Sequence, residues 1–440
     1  MNEEVSTNEL NCTADGHELP SGWLGRVALI WGGYAISMFA GNAASYSGIW
    51  YATETTGSPL SLAFLYVLAF LPMGLLSPFG GVLADKLNRK AIIIACDSLM
   101  ALCSLGLTVW ISFAGPSFAA VAVYCAAFGF MSGFRTPAFN ATMPLLVPAR
   151  HLMRINSMDT LLGSISMIAG PALGILLYAS FGLQATVFLG CIGAACAALT
   201  MLLAKIPRDH GAQEGAGAWA SLKEGASALA GQRGLLVLVI GVSLGMMAYA
   251  PIDSLLPLMV HSHFGGDGFA ASLLAAVMGA GLLVGALILM AVNPQRKLTR
   301  VIVVAAFVVG GGATISGLIP KDGFWAFVAC IGVLAIACAW FNAPVMTLLQ
   351  KNVPDEKLGR VMGLFSAMTG LAIPAGTALG GVIAEITGTP LFFCIDGVFI
   401  VLLGVTLVCS KNVSKLDAKS AEQSTVEQAI AEPAACDPAV

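Results

Sequence analysis

The sequence predicts an all-α integral membrane protein: twelve transmembrane helices in two pseudo-symmetric six-helix bundles. Three observations predict it. Of 440 residues, 58% are hydrophobic and only 10% charged, where a soluble domain carries about 25% charged. The apolar residues gather into twelve runs, each near the ~20 residues that span a bilayer as a helix. Landmarks of the first half also recur in the second at an offset of 206 residues.

Taken in order, the first six runs are Arg26–Thr53, Leu60–Ala84, Ala91–Phe113, Ser117–Leu146, Ile155–Phe181 and Ala185–Ala204. The second six are Gly234–Pro257, Phe269–Val292, Val301–Ile319, Phe324–Leu349, Val361–Ile386 and Leu391–Ser410. Turn sequences separate them, such as Thr56-Gly57-Ser58-Pro59, Gly115-Pro116 and Thr387-Gly388-Thr389-Pro390. Short turns imply antiparallel neighbours. One connection is longer and polar, and it splits the runs six and six. The predicted organisation is thus an N-terminal tail (1–25), a first bundle (26–205), a linker (206–233), a second bundle (234–410) and a polar, disordered tail (411–440). Within the linker, Trp219–Ala230 reads as a solvated stretch or as a surface amphipathic helix. The first twenty residues are polar and acidic, so no cleaved signal peptide is expected.

Of the 21 Lys and Arg residues, 19 fall at the N-terminal edge, in even-numbered loops or in the tail; only Lys321 lies in an odd-numbered loop, and Arg135 lies within a run. The positive-inside rule then places both termini and the linker in the cytoplasm. The eleven cysteines are scattered singly, mostly inside apolar runs, with no metal-ligand spacing. They imply neither a disulfide framework nor a zinc site.

The repeat is specific. Val147-Pro148 matches Val353-Pro354, Leu152 matches Leu358, and Arg154 matches Arg360. Gly170, Gly174 and Gly182 fall on Gly376, Gly380 and Gly388. The densest charged stretch between two runs is Gly80-Gly81-Val82-Leu83-Ala84-Asp85-Lys86-Leu87-Asn88-Arg89-Lys90. Its Gly81, Asp85, Lys86, Arg89 and Lys90 resemble the loop 2–3 signature G-x-x-x-D-R-x-G-R-K of the major facilitator superfamily. A degenerate copy surrounds Gln295-Arg296-Lys297. Lys86 and Asn88 depart from the signature, and Asn is expected to keep the turn by tolerating positive φ. Small residues at Gly80 and Gly81 suit close approach to a helix of the other half. Asp85 suits the positive end of a helix dipole, with the start of segment eleven near Gly359–Gly363 as the candidate. The resemblance implies an inter-bundle latch, with the three cations around Asp85. The cations also serve simply to fix topology.

Gly170-Pro171-Ala172-Leu173-Gly174 resembles the G-P-x-x-G signature of antiporters in that superfamily. Longer passages, Thr53–Ser58, Thr136–Ala141, Pro144–Pro148 and Pro354–Val361, resemble its macrolide-efflux branch of drug:proton antiporters, and siderophore exporters share much of the pattern. The resemblance implies the major facilitator fold, a bacterial cytoplasmic membrane location, a monomer and proton-coupled export of a small hydrophobic or amphipathic compound. It implies no cofactor, metal or nucleic acid.

Charged residues inside a bilayer cost at least ~3 kcal/mol, so each needs a role. Asp97 and Arg135 are expected to pair in the inner half of the first bundle. Asp253 is the first candidate for carrying the proton, because leaving water favours the neutral form of a carboxylate; capping an outer helix end is its alternative. Asp159 and Asp396 read as interfacial and Glu54 as outer rim. His261 and His263 lack further metal ligands. In the superfamily, segments one, four, seven and ten line the cavity. Here they offer Asn42, Tyr46 and Trp50; Tyr124 and Met131; Met246 and Tyr249; and Trp340, Phe341 and Asn342. Mixed aromatic, Met and amide surfaces suit bulky amphipathic ligands, and the same residues also simply pack helices.

No G-x-x-x-x-G-K-[ST] loop is present, which argues against direct ATP drive. H-E-x-x-H is absent, and the one G-x-S-x-G match, Gly241-Val242-Ser243-Leu244-Gly245, lies inside an apolar run instead of on a strand-to-helix turn, which argues against a membrane hydrolase. Three other readings stay open: a siderophore or metabolite exporter, a lipid scramblase or flippase, and a non-transporting sensor.

Overall fold

The computed structural model describes residues 23–143, 146–204, 233–292, 298–353 and 355–410, with a few positions between 223 and 231. The N-terminal tail up to residue 22, the loop 293–297 with the second signature copy, most of the linker and the tail from 411 lie outside these residues. The described residues are helices joined by short turns. They are α1 (Trp23–Thr56), α2 (Pro59–Lys86), α3 (Arg89–Ala114) and α4 (Phe118–Thr142), then a continuous run Ala149–Leu203. Gly182, at φ 78° and ψ 170°, breaks that run into α5 (149–181) and α6 (183–203). The second half holds α7 (Arg233–Leu258), continued by a π-turn at Met259–His263, then α8 (Gly268–Val292), α9 (Leu298–Leu318), α10 (Phe324–Asn352), α11 (Asp355–Thr387) and α12 (Thr389–Cys409).

Among the described residues, eleven stretches are long and apolar enough to cross a membrane, against twelve expected. The difference lies in Leu161–Leu203, which counts once. At 1.5 Å per residue that stretch would be about 65 Å long, twice the ~30 Å hydrocarbon core. Its break at Gly182 makes two spans of it. Gly388, the repeat partner of Gly182, ends α11 in the same left-handed region at φ 82°. A Cβ there would crowd the preceding carbonyl, so glycine is the natural residue at both turns.

Side-chain caps set some of the helix starts. Ser58 accepts a bond from the Ser61 amide with Pro59 in the first turn, and Ser117 accepts one from Ala120. Helices extend past the apolar runs at the polar ends: α5 starts at Ala149 rather than Ile155, and α11 at Asp355 rather than Val361. The backbone hydrogen-bond ladder continues into polar sequence after the apolar run has stopped.

The chain resolves into two compact units, Met1–Gly215 with Val260–Ala276, and Ala216–Met259 with Val277–Val440. In the first, α1 packs on α5 and α6, and α2 on α4; in the second, α7 packs on α11, and α9 on α12. The tip around the α7–α8 turn counts with the first unit, where Ser272 Oγ donates to the Ala172 carbonyl at 2.7 Å. In the linker, Lys223, Glu224, Ala226, Ser227 and Leu229 are helical. Leu229 is 1% exposed within the apolar core of the second unit, beside Leu349, Val353 and Val361. Glu224 pairs with Arg360 at the start of α11. At these positions the solvated stretch, the first expectation, gives way to the amphipathic alternative: Leu229 is buried while Lys223 and Glu224 stay outside.

Candidate functional site

The charged loop between α2 and α3 is built from helix ends. Asn88 has φ −66°, so it makes no use of the left-handed region expected of it. Its side chain instead accepts a bond from the Ala91 amide and caps α3. Substituting Asn for the glycine of the signature therefore adds a cap. Arg89 donates from Nε to the Ala84 carbonyl at 3.1 Å and from Nη1 to the Ala141 carbonyl at 2.9 Å. Lys90 Nζ donates to the Leu202 and Ala204 carbonyls at 3.0 and 2.7 Å. These two cations thus sit on the C-terminal carbonyls of α2, α4 and α6, where both unpaired acceptors and the helix dipole favour positive charge. A Cβ on Gly80 would lie 2.5 Å from the Gly133 carbonyl oxygen. The close approach at Gly80 is therefore to α4 of its own half, a correction to the expected contact with the other half; backbone meets backbone there, leaving no room for a side chain. Lys86 is exposed, and the Asp85 side chain lies outside the described residues.

Above this loop, Arg135 Nε lies 2.7 Å from Asp97 Oδ1, with the two side chains 14% and 3% exposed. The guanidinium also stands 4.6 Å from the ring centre of Tyr34, which stacks on Phe139. The pair expected from sequence is therefore formed, and it joins α1, α3 and α4. Tyr34 went unforeseen because an aromatic on α1 carries no local sign of the cation it meets.

The Gly170-Pro171-x-x-Gly174 stretch seats α5 on α1. A Cβ at Gly170 would touch Asn42 Cβ at 3.0 Å, and one at Gly174 would lie 2.5 Å from the Ala43 carbonyl oxygen. Asn42 also donates to Ser166 Oγ at 2.8 Å. The repeat-related glycines do the same in the second unit: Gly376 is filled by the Met247 carbonyl oxygen, 1.8 Å from its missing Cβ, and Gly380 by Pro251 at 2.2 Å.

The candidate cavity residues have different surroundings. Trp50 is 0% exposed; its indole donates to Glu54 at 2.8 Å, and His261 meets its ring edge-on. Tyr178 donates to the other Glu54 oxygen at 2.7 Å, so this carboxylate, read as outer rim, ties α1 to α5. The i, i+4 spacing of Trp50 and Glu54 was its available signal. Tyr124 is buried at 2% exposure, and Met131 packs beside the core of the first unit. Tyr46 lies edge-on to Tyr66. Met246, Tyr249 and Phe341 are partly exposed, with Phe341 against Gly245 of α7. Trp340 donates to the Gly285 carbonyl at 2.9 Å and faces α8 and α9. The Asn342 side chain lies outside the described residues.

Asp253 is half-buried on α7; Cys338 of α10 reaches Tyr249 and lies near this carboxylate. Among the described residues no cation is seen to pair with Asp253. Asp159 accepts a bond from the Trp31 indole. Asp396, expected at the interface, is buried at 8% exposure. The adjacent Gly397 packs backbone to backbone on Gly310 of α9, which draws Asp396 inward. No cluster of metal-ligating side chains occurs among the described residues.

Repeated six-helix units, glycine-seated helices and buried polar groups between spans define a polytopic membrane protein with secondary-transporter architecture. The family model "Major Facilitator Superfamily" matches residues 30–320 and 295–433. The chain belongs to the major facilitator superfamily, whose members are transporters rather than enzymes. It is 31% identical over 399 residues to "Macrolide efflux protein A" of Streptococcus pyogenes, covering 90% of this chain and 98% of that protein. It is 28% identical over 325 residues to "Enterobactin exporter EntS" of Escherichia coli, covering 70% and 73%. Among solved structures, a D-xylose-proton symporter aligns at TM-score 0.66 and 15% identity, covering 88% of this chain and 97% of that one. The nucleoside transporter NupG aligns at TM-score 0.61 and 14% identity, over 87% and 98%. At that identity the likeness concerns the fold alone.

Proposed function

We propose that the protein exports amphipathic drugs of the macrolide type in exchange for protons, by alternating access, from a bacterial cytoplasm. The observation that carries this reading is near end-to-end similarity to macrolide efflux protein A. Supporting it are the Gly170-Pro171-x-x-Gly174 stretch and the lysine and arginine bias, which puts both termini inside. A proton entering across 100 mV releases about 2.3 kcal/mol, enough at one proton per neutral substrate for a gradient of about 50-fold.

In this reading Asp253 carries the proton, and the Asp97–Arg135 pair couples the first bundle to the loop. Gly81, Asp85 and Lys86 form the releasable part of a latch between bundles. Arg89 and Lys90 brace the ends of α2, α4 and α6 so that the loop moves with its own half. The cavity is drawn from Asn42, Tyr46, Met246, Tyr249, Phe341 and Asn342, and the transporter works as a monomer.

The test is uptake of labelled macrolide into inverted vesicles with and without a protonophore. Expected is accumulation that the protonophore abolishes and that Asp253→Asn uncouples from the pH gradient. Protonophore-insensitive accumulation would sink the antiport reading, and normal pH-driven uptake by Asp253→Asn would remove the assignment to that residue. The enterobactin exporter match supports a second substrate class, siderophores. Secretion assays on a deletion strain separate the two.

A further inference from the structure

We infer that the second unit binds an anionic diacyl phospholipid in a groove between α8, α9 and α10, with the phosphate at Arg300 and an acyl chain along Val304 toward Trp340. The groove measures about 250 Å³, and its apolar walls include Ile288, Val292, Val301, Val304 and Trp340, with the aliphatic stem of Arg300 at its rim. Ile288, Val292 and Val304 are 40%, 68% and 49% exposed, so the groove opens on the outer surface of the helices, where lipid is the solvent. Trp340 spends its indole N–H on the Gly285 carbonyl, which leaves the ring to act as an apolar wall.

Size and charge select the occupant. A drug-sized ligand takes ~300–1,000 Å³ and is mostly enclosed, so a shallow groove of this volume suits one hydrocarbon chain better. Arg300 is exposed in the first turn of α9, and among the described residues no carboxylate is seen to pair with it. The N-terminal dipole of α9 has the same positive sign. Val304 stands at i+4 from Arg300, on the same helix face and about 6 Å along the axis. A cation at the rim and an apolar strip beneath it on one face are the chemistry of an anionic headgroup with its chain. The site needs only that the helices span a bilayer, so it stands apart from the proton and substrate assignments.

The test uses full-length protein, delipidated in detergent and titrated with phosphatidylglycerol, phosphatidylcholine or inorganic phosphate. Bound lipid is read by native mass spectrometry and stability by thermal melting. Expected is retention of phosphatidylglycerol with a raised Tm relative to phosphatidylcholine, and no effect of phosphate. Arg300→Gln should weaken phosphatidylglycerol retention about fivefold while leaving phosphatidylcholine unchanged. Val304→Trp should fill the groove and lower retention with the cation still in place. The proposal is overturned if wild type shows no phosphatidylglycerol preference, if both variants keep that preference, or if inorganic phosphate reproduces the stabilisation.

Discussion

The two halves agree in how their helices touch and differ in where their charges lie. In the first unit α5 rests Gly170 on the Asn42 side chain and Gly174 on the backbone of α1; in the second α11 rests the matching glycines on α7. Gly80 meets α4 across the Gly133 carbonyl, and Gly285 meets α10 across the Ile336 carbonyl, in the same manner. The turns at Gly182 and Gly388 share one backbone conformation. Yet the offset of 206 carries Arg135 to Phe341 and Asp97 to Val303. The buried ion pair therefore belongs to one half alone, while the other half keeps Asp253 and Asp396 with no cation seen beside either among the described residues. Duplicated contacts are the demand of the fold, and unduplicated charges are where a transporter of this kind has room to specialise.

The sharpest way to break this comparison is at Arg135. Arg135→Leu leaves Asp97 buried without its partner and should cost ~3–5 kcal/mol. At the repeat-related site, Phe341→Leu should cost roughly 1 kcal/mol or less. Equal losses in thermal melts of the two variants would mean that the ion pair has no special structural weight.

A smaller effect is expected at the paired glycines. Gly376→Val and Gly174→Val both drive a side chain into backbone, at a cost of ~1–3 kcal/mol each. Gly376→Val should be the worse, since its Cβ would meet the Met247 carbonyl oxygen at 1.8 Å. Gly170→Ala meets Asn42 Cβ at 3.0 Å and should cost less than either valine variant. A reversed order in melting temperature would contradict the packing described for α11 on α7.

The smallest effect concerns the loop. Asn88→Ala removes the α3 cap and should cost about 1 kcal/mol, whereas Asn88→Gly, which restores the residue of the signature, should cost roughly a few tenths. Were Asn88→Ala to melt with wild type, or below it by no more than Asn88→Gly, the cap would not be what Asn88 contributes.

Much of the fold was legible in the sequence because membrane spans are written in long apolar runs and because repeated glycines mark repeated contacts. The Asp97–Arg135 pair was legible too, since two opposite charges at similar depth have few other partners. What could not be read were contacts made to backbone. Nothing in the residues Arg89 and Lys90 says that their partners are the Ala84, Ala141, Leu202 and Ala204 carbonyls. Trp50 looked like a cavity aromatic because its segment lines the cavity in the superfamily, but its bond to Glu54 and its contact with His261 place it in packed interior. Asp396 looked interfacial from its nearness to a helix start, and the Gly310–Gly397 contact, invisible in one strand of sequence, draws it inward.

The anchoring of Leu229 and Glu224 on the second unit bears on where the polypeptide tolerates being divided. A break or tag insertion placed before residue 223 leaves that anchor with the half that holds it. One placed between Leu229 and Arg233 severs it, although both positions fall in the same polar connection. Split versions of the chain, co-expressed as two fragments, should therefore reassemble with an efficiency set by which side of Lys223 carries the cut.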